Sequence, residues 1–313
     1  MDKNTFKSDI LLLLTAMIWG FAFVAQRVGM DFVGPFTFNG VRFALGALVL
    51  LPFIAAARLK RPSGYNPVPV KKRTDSIAPG AAAGVVLFFG SSLQQMGLVY
   101  TTAGNAGFIT GLYVVMVPMI GLIWRHRPGA GTWIGTVLAA SGLYLLSVTD
   151  SLDLAPGDSL VLMSAVMWAI HVLIIGWLSP RQDALVLACS QFAVCSVLSL
   201  ITAAAIESIT LEGLRSAMIP ILYGGILSVG LAYTLQVVAQ RNAPPAHAAV
   251  ILSLEGAFAA LGGRLLLAEY LTARGYAGCA LMLTGMLVSQ LWGKGLFHRN
   301  PGSGPCKNGS HRI

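Results

Sequence analysis

The sequence predicts an all-α integral membrane protein in which ten transmembrane helices form two inverted five-helix repeats. Three observations predict this fold: few residues are charged, the apolar residues fall into ten long runs, and the two halves of the chain resemble each other. Only 11% of the 313 residues are charged, whereas a soluble domain carries about 25%. So few charges cannot cover the surface of a soluble protein of this length, and most of the surface is therefore expected to face lipid.

Each apolar run is long enough to cross the hydrocarbon core of a bilayer, which requires about 20 residues of helix. Backbone groups in lipid must be hydrogen-bonded within the protein, so runs of this length are expected to be helical. Continuous apolar stretches such as Leu11–Leu14 and Val49–Ile54 lack the alternation of a membrane β-strand. The predicted helices 1 to 10 cover residues 10–28, 35–57, 78–99, 103–124, 131–148, 157–177, 183–205, 218–239, 245–267 and 273–293.

The basic residues predict the orientation of these helices, because Lys and Arg are enriched in cytoplasmic loops. Of the 21 basic residues, 16 precede helix 1 or follow an even-numbered helix, as Lys71, Lys72 and Arg73 do. This places both termini on the cytoplasmic side of a bacterial inner membrane, and only an even number of helices agrees with that placement. Residues 294–313 are rich in Gly, Pro, Asn and Ser and are expected to form a disordered cytoplasmic tail.

The two halves of the chain match in register, which indicates an internal duplication. An offset of 149 residues brings Leu13, Ala16 and Trp19 onto Leu162, Ala165 and Trp168, and an offset of 143 brings Gly135 and Gly142 onto Gly278 and Gly285. We therefore expect a first repeat at residues 1–150 and a second at 151–293. Five helices is an odd number, so the second repeat enters the membrane in the opposite orientation. Inverted repeats are typical of secondary transporters, which bind substrate near the midplane between them.

Five short segments add a resemblance to a known family. They are residues 14–20 (LTAMIWG) in helix 1, 100–106 (YTTAGNA) at the start of helix 4, and 243–245 (APP), 252–255 (LSLE) and 265–269 (LLLAE) around helix 9. Together they resemble the drug/metabolite transporter superfamily, in particular its EamA family of ten-helix carriers, over about residues 8–293. Gly256 and Ala268 depart from the family pattern, which often has Pro and Gly there. The resemblance implies uptake or export of amino acids, related metabolites or drugs.

These observations predict a secondary transporter that moves small metabolites across the inner membrane by alternating access, with export as the favoured direction. Its expected partners are a small-molecule substrate and the lipid bilayer, and no cofactor, metal ion or nucleic acid is expected. The sequence contains no phosphate-binding loop, zinc-protease motif or serine-hydrolase motif, so enzyme activity is not expected. A channel, a sensor and a membrane-embedded enzyme stay open as alternatives.

Two charged residues fall deep inside predicted helices, where an isolated charge is costly and a function is the first hypothesis. Glu255 lies about ten residues into helix 9, or about 15 Å deep at the rise of an α-helix. It is a candidate for proton coupling or for binding a substrate amine, and the alternative is a structural carboxylate. Arg42 in helix 2 is a candidate for binding a substrate carboxylate. The alternatives are that Arg42 snorkels outward or pairs with Glu255.

Aromatic residues supply further candidates. Trp19 and Trp168 fall near the middle of their helices and not in the interfacial belts that Trp usually occupies. They are expected either to form stacking walls of a central pocket or to pack helices together. His171 lies one turn from Trp168 and titrates near neutral pH when unperturbed, so it is a second coupling candidate, with a packing role as the alternative.

The remaining candidates for substrate contact are amide and hydroxyl side chains, whose alternative role is to cross-link helices. Ser91, Gln94 and Gln95 share one face of helix 3, and Tyr233 with Gln236 share one face of helix 8. The full set is Asn39, Ser91, Ser92, Gln94, Gln95, Asn105, Thr110, Tyr113, Tyr233, Gln236 and Ser253.

Paired glycines predict the role of helices 5 and 10. Gly135 with Gly142, and Gly278 with Gly285, are each seven residues apart. This spacing places both glycines of a pair on nearly one helix face and predicts tight contact there. Helices 5 and 10 are expected to scaffold the bundle or to form the interface of a homodimer.

Overall fold

The structure is a computed structural model that describes residues 3–59, 77–147, 156–268, 270 and 272–292. Within these residues the chain forms helices joined by short connections, and it contains no strand. The ten longer helices are α1 (Lys3–Gly29), α2 (Pro35–Leu59), α3 (Ile77–Leu98), α4 (Ala103–Ile123), α5 (Ala130–Ser147), α6 (Pro156–Leu178), α7 (Ala184–Ile206), α8 (Met218–Ala239), α9 (Pro245–Leu266) and α10 (Ala273–Trp292). A short helix, Leu211–Ser216, lies before α8, and α8 contains a π-helical segment, Tyr223–Tyr233.

Each predicted run is helical, and the observed bounds lie close to the predicted ones except that α1 begins at Lys3. Eight of the helices, all except α5 and α10, are long and apolar enough to span a membrane. The chain is therefore a multi-pass membrane protein, and the crossing of α5 and α10 stays a prediction. The predicted tail at residues 294–313 and the basic segment at 60–73 lie outside the described residues.

Local signals explain where several helices begin. α2, α6 and α9 each start with a proline, namely Pro35, Pro156 and Pro245. Proline suits the first turn because its φ angle is preset and the N–H that it lacks would have no helical partner there. α7 follows Asp183, whose carboxylate accepts hydrogen bonds from two backbone N–H groups of the first turn at 3.0 and 3.2 Å, which satisfies donors that the helix leaves free.

Two helices are interrupted near their middles. α4 is interrupted at Leu112, and α9 at Ser253 and Leu254. At these points the backbone uses i→i+3 hydrogen bonds, from Leu112 N–H to Ile109 O and from Leu254 N–H to Ile251 O, each 3.2 Å long. Such tighter turns within a helix often mark a hinge. The sequence pattern did not predict either interruption, because the apolar runs are continuous there.

The helices of the two halves contact each other in corresponding pairs. α1 packs against α8 and α9, and α6, at the corresponding position, packs against α3 and α4. α3 contacts α7 as α8 contacts α2, while the α2–α7 and α5–α10 contacts join corresponding helices directly. This is the pattern expected of two similar units that pack face to face.

The contact between α5 and α10 depends on glycine. A Cβ atom on Gly135 would lie 2.7 Å from the carbonyl oxygen of Gly285, and one on Gly142 would lie 2.6 Å from that of Gly278. Side-chain carbon atoms do not approach a carbonyl oxygen this closely, so the two backbones can meet only because these positions lack side chains. The predicted tight contact through the paired glycines is confirmed.

Polar side chains tie helices together where α1 begins. Asp9 Oδ1 of α1 lies 2.9 Å from His247 Nε2 of α9, and Ser289 Oγ of α10 lies 2.9 Å from His247 Nδ1. Gly176, near the end of α6, contacts Pro245 beside His247. α1 and α9 therefore begin, and α6 and α10 end, at the same end of the bundle.

A second set of polar contacts lies at the opposite end. Gly157, near the start of α6, contacts Gly97 at the end of α3, and the Thr101 hydroxyl donates a hydrogen bond to Asp158 Oδ1 at 2.8 Å. The carboxylate of Glu207, after α7, accepts hydrogen bonds from backbone N–H groups in the first turn of α2 at 2.9 and 2.8 Å. Both ends of the bundle are thus closed by hydrogen bonds that join one half of the chain to the other.

Candidate functional site

A cavity lies between α1, α2, α3, α4, α6, α8 and α9, near the middle of these helices. It is narrow, with a volume of about 30 Å³, which is room for only a few water molecules. A metabolite can therefore enter only if the surrounding helices move apart. The lining residues are Trp19, Phe23, Gln26, Arg42, Gln94, Thr110, Tyr113, Trp168, His171, Val172, Ser228, Tyr233, Gln236 and Glu255.

One face of α1 forms part of the wall. Trp19, Phe23 and Gln26 are spaced at i, i+4 and i+7 and so lie on one side of the helix. The indole N–H of Trp19 donates to the carbonyl oxygen of Ser228 in α8 at 3.3 Å. This bond positions the Trp19 ring across the interface of the two halves.

The π-helical segment of α8 forms the facing wall. Ser228 and Tyr233 are five residues apart, and a π-helix places residues at this spacing one above the other. Gln236 follows in the next turn, after the helix returns to α geometry. In a regular α-helix Ser228 and Tyr233 would point in different directions, so the π segment brings both into the cavity.

Tyr233 is the centre of an aromatic cluster. Its ring centroid lies 4.5 Å from that of Trp19, 6.1 Å from that of Trp168 and 6.2 Å from that of His171. The ring centroid of Phe192 lies 5.9 Å from that of Tyr233. Aromatic rings at these separations attract each other and form rigid apolar walls, which can pack against the apolar parts of a ligand.

Amide side chains connect this cluster to α3. The indole N–H of Trp168 donates to Gln94 Oε1 at 2.6 Å, and Gln94 Nε2 lies 3.4 Å from Gln26 Oε1. His171 Nε2 lies 2.9 Å from Gln191 Oε1 of α7. Gln94 and Gln191 therefore hold the aromatic rings in place. Both amide atoms of Gln94 are used within the protein, whereas Gln191 Nε2 has no partner among the described residues.

Arg42 is almost fully buried, with 2% of its surface exposed, and among the described residues no carboxylate forms an ion pair with it. Its Nε donates to Asn39 Oδ1 at 2.9 Å, and its guanidinium carbon lies 4.9 Å from the centre of the Phe43 ring. A cation over an aromatic face is favourable but does not neutralise the charge. Asn39 is therefore a positioning residue for Arg42, and the guanidinium lines the cavity with its positive charge available to an anion.

Glu255 and Tyr113 occupy equivalent places at the interruptions of α9 and α4. Each is the first residue of the helical segment that follows the interruption, and both line the cavity. Glu255 is 4% exposed and forms no ion pair among the described residues, so the pairing with Arg42 that the sequence left open is not present.

Several buried polar atoms of the lining have no hydrogen-bond partner among the described residues. They are Thr110 Oγ1, Glu255 Oε1 and both amide atoms of Gln236. A buried polar atom without a partner costs about 1–3 kcal/mol, and such atoms are rare in folded proteins. Similar atoms occur elsewhere in the described helices, for example Ser199 Oγ and Gln240 Oε1, but these four face one cavity, where a polar ligand can supply their missing partners.

Other candidates from the sequence lie outside the cavity lining. Ser91 Oγ contacts Phe88 O at 3.3 Å and Cys195 Sγ at 3.5 Å, and Gln95 Nε2 donates to Gln26 O at 3.2 Å. Of the face predicted on α3, only Gln94 reaches the cavity. Ser91 and Gln95 do not line this cavity because the close packing of α3 against α1 and α7 turns these side chains toward other helices, and their contact with substrate stays a prediction.

Three further candidates have local roles. Ser253 Oγ donates to Val250 O at 2.9 Å within the interruption of α9. Asn105 lies in the first turn of α4, where its backbone N–H donates to the hydroxyl of Thr102, and Ser92 is buried without lining the cavity. None of the three lines the cavity. The sequence gives the depth of a residue along its helix but not the direction in which its side chain points.

The sequence analysis missed four lining residues: Phe23, Gln26, Val172 and Ser228. The spacing of Phe23 and Gln26 from Trp19 could have revealed the first two, since all three share a helix face. Ser228 could not be found by α-helical spacing because it lies in the π segment. No group of three or more His, Cys, Asp and Glu side chains that could hold a metal ion occurs within the described part of the chain.

Comparison with known proteins identifies transporters as relatives of this chain. Residues 6–148 and 155–290 match the model of the EamA-like transporter family. An uncharacterized transporter of Archaeoglobus fulgidus is 32% identical over 91% of this chain and 86% of its own length. The threonine/homoserine exporter RhtA of Escherichia coli strain K12 is 28% identical over 84% of this chain and 84% of its own length.

A solved crystal structure has a similar fold. It superposes with a TM-score of 0.70 over 91% of this chain and 98% of the solved chain, at 17% sequence identity. Identity at this level supports the shared fold alone.

Two buried glutamines of the lining provide a matched pair of substitutions. Gln94→Leu removes the acceptor of the Trp168 N–H, so we expect the free energy of unfolding to fall by about 1–3 kcal/mol. Gln236→Leu removes two amide atoms that have no protein partner, so we expect no loss of stability without ligand. Thermal unfolding of both variants in the same detergent measures the difference, and equal losses would show that Gln236 is a structural residue.

Proposed function

The chain belongs to the EamA-like transporter family, and on that premise we propose that it is a secondary transporter for zwitterionic metabolites of the amino-acid type in a bacterial inner membrane. The observation that carries this proposal is that Arg42 and Glu255, a buried basic residue and a buried acidic residue, line one cavity without pairing with each other. A carboxylate and an ammonium group on one small molecule would supply both missing counter-charges.

The chemistry of the lining supports this class of substrate. A guanidinium binds a carboxylate through two parallel hydrogen bonds, and a carboxylate accepts hydrogen bonds from an ammonium group. The rings of Trp19, Trp168 and Tyr233 offer apolar walls to the carbon atoms between these groups. Gln236 and Thr110 add unused donors and acceptors, which favours a polar side chain on the substrate.

One relative supports the same class of substrate and the choice of export as the proposed direction. RhtA is named a threonine/homoserine exporter, and both of its named substrates are zwitterions with a hydroxyl group. For this chain, export from the cytoplasm is accordingly the proposed direction. Neutral hydroxy amino acids are the first compounds to test.

Alternating access is supported by the arrangement of the two halves. The family model matches the chain twice in succession, and helix contacts occur in corresponding pairs. α1 begins at the end of the bundle where α6 ends, as inverted repeats at residues 1–150 and 151–293 require. Substrate sites in such transporters lie near interrupted helices, and here the interruptions of α4 and α9 present Tyr113 and Glu255.

Glu255 is the leading candidate for coupling transport to protons, with His171 as the second. Glu255 is a buried acid whose Oε1 has no partner, so it can exchange a bound proton for a substrate ammonium group. His171 already has a partner in Gln191. A proton carried in one direction would then be exchanged for a substrate carried in the other.

Substrate charge can be tested by binding. We expect L-threonine to raise the melting temperature of the purified protein by mass action. Threoninamide, without a carboxylate, and N-acetylthreonine, without an ammonium group, are expected to bind about 10- to 100-fold more weakly because each loses a charge-assisted interaction.

The variants should show a crossed pattern. Arg42→Gln should weaken binding of threonine but not of threoninamide, and Glu255→Gln should weaken binding of threonine but not of N-acetylthreonine. If no neutral amino acid stabilises the folded protein, or if all three compounds bind equally, the zwitterion proposal is wrong.

Coupling can be tested by flux in proteoliposomes. An imposed pH gradient is expected to drive threonine accumulation by the wild-type protein, whereas Glu255→Gln, which cannot exchange a proton, should support only flux that ignores the gradient. His171→Gln serves as the matched variant and should keep the response. Gradient-driven flux that survives in Glu255→Gln and fails in His171→Gln would transfer the role to His171.

Orientation can be tested with a membrane-impermeant thiol reagent on intact cells. Both termini are expected to be cytoplasmic, so a cysteine at Phe6→Cys should be protected, while one at Tyr100→Cys, between α3 and α4, should react from outside. The native cysteines are replaced in both variants. Reaction of both positions from the same side would contradict the three crossings that α1, α2 and α3 are expected to make between them.

A further inference from the structure

An apolar groove lies on the lipid-facing surface of the bundle, on the side of α1 opposite the cavity. Its volume is about 420 Å³, which is within the range of sites that hold small molecules. Phe21, Val24 and Val28 of α1 line the groove, whereas Trp19 and Phe23 line the cavity. At 3.6 residues per turn these two sets point in opposite directions, so α1 separates the groove from the cavity.

The groove begins where the hydrogen bonds between α1 and α8 end. The Tyr223 hydroxyl donates to Ile18 O at 3.0 Å, and the Trp19 indole donates to Ser228 O at 3.3 Å. From Trp19 to the end of α1, no further hydrogen bond joins the described residues of these two helices. The α8 edge of the groove is formed in part by Tyr223, and Leu266 of α9 lies on the other edge.

The lining offers a ligand few polar groups. Of the described residues that line the groove, only Ser216 and Tyr223 have polar side chains, and the Tyr223 hydroxyl is already bonded to Ile18 O. A polar metabolite would lose its hydrogen bonds with water there, whereas a hydrocarbon chain would gain van der Waals contacts. The groove opens between helices long and apolar enough to span a membrane, so the hydrocarbon available to it is a lipid acyl chain.

The length of the groove matches one leaflet of a bilayer. Phe21 and Val28 are about 10 Å apart at the rise of an α-helix, and Phe32, which also lines the groove, lies beyond the last residue of α1. The groove therefore covers about 15 Å, which is half of a hydrocarbon core about 30 Å thick. The basic residues predict that α1 ends on the outer side of the membrane, so the matching leaflet is the outer one.

An arginine lies at the headgroup end of the groove. Ser216 lines the groove at the end of the short helix before α8, and Arg215 directly precedes it and is exposed. Arg215 forms no ion pair among the described residues, not even with Glu212 one turn earlier, whereas Arg27 of α1 pairs with Asp31 at 2.8 Å. A guanidinium binds a phosphate group through two parallel hydrogen bonds, so Arg215 is available to a lipid phosphate.

We propose that the groove is a binding site for an anionic phospholipid of the outer leaflet, with one acyl chain in the groove and the phosphate on Arg215. The site is separate from the substrate cavity, and its ligand is a resident lipid that is not transported. Because α1 forms a wall of both, the bound acyl chain packs behind the helix that carries Trp19 and supports this wall of the cavity.

A photoreactive lipid can locate the site. The full chain is reconstituted in phosphatidylcholine nanodiscs that contain a small fraction of phosphatidylglycerol with a diazirine in one acyl chain, and the labelled residues are identified by mass spectrometry. We expect about fivefold more label at Val28 and Ile219 in the groove than at Leu48 and Ile201, which are exposed on other helices. One arginine near the surface supplies an attraction of this size for an anionic lipid.

Two pairs of variants separate the acyl chain from the headgroup. Ala25→Trp fills the groove and should reduce its label to the level of other lipid-facing positions, while Ala204→Trp, exposed on α7, is the matched control and should not. Arg215→Gln should remove the preference of the groove for the phosphatidylglycerol probe over a phosphatidylcholine probe. Arg274→Gln is its matched control, because Arg274 lies 5.4 Å from the centre of the Tyr144 ring and does not line the groove.

Label spread evenly over the lipid-facing positions would overturn the proposal, as would groove label that survives Ala25→Trp or an Arg215→Gln protein that keeps the full preference. A groove covered by a second copy of the chain would exclude the probe, and unlabelled groove residues would overturn it too. Melting curves in the same nanodiscs establish that each variant is folded, and if Ala25→Trp does not fold, Ser216→Trp blocks the exposed headgroup end of the groove. The measurement uses no substrate, so its result is independent of the proposed substrate class.

Discussion

A polar group buried in the membrane-spanning part of this protein needs a partner, because neither lipid nor packed side chains can replace water. This constraint divides the polar residues that line the cavity into two sets. Gln94, Trp168 and His171 bond to other side chains and hold the helices in position. Gln236 and Glu255 have atoms with no partner, although they lie in the same cavity. The first set builds the walls, and the second set is what the protein presents to a ligand.

The helices could be predicted closely from the sequence, because membrane insertion imposes an apolar run of fixed length on each. Proline starts and the Asp183 cap add local signals that agree with the observed bounds. The paired glycines of α5 and α10 could also be predicted, because a spacing of seven leaves little freedom in how they face. The interruption at Leu112 and the π segment Tyr223–Tyr233 could not, since both depend on packing between distant helices and lie within continuous apolar runs.

Part of the candidate site could also be predicted from the constraint that the membrane imposes. The mid-helix position of Trp19, Arg42 and Glu255 could be read from the sequence, and depth alone made them costly unless they had a role. The direction of a side chain is set by tertiary packing, so Ser91 was assigned to the cavity although it faces α7, and Gln26 was missed although it shares a face with Trp19. That Arg42 and Glu255 remain apart, which is the basis of the proposed substrate class, is a property of the folded chain only.

The most direct test of the proposed substrate site is an electron cryo-microscopy structure of the protein in nanodiscs with saturating L-threonine. We predict a widened cavity with density for one small molecule, its carboxylate on Arg42 and its ammonium group on Glu255, while Gln94 keeps its bond to Trp168. A structure in which Arg42 and Glu255 pair with each other, or in which the ligand lies elsewhere while the cavity stays closed, would contradict it.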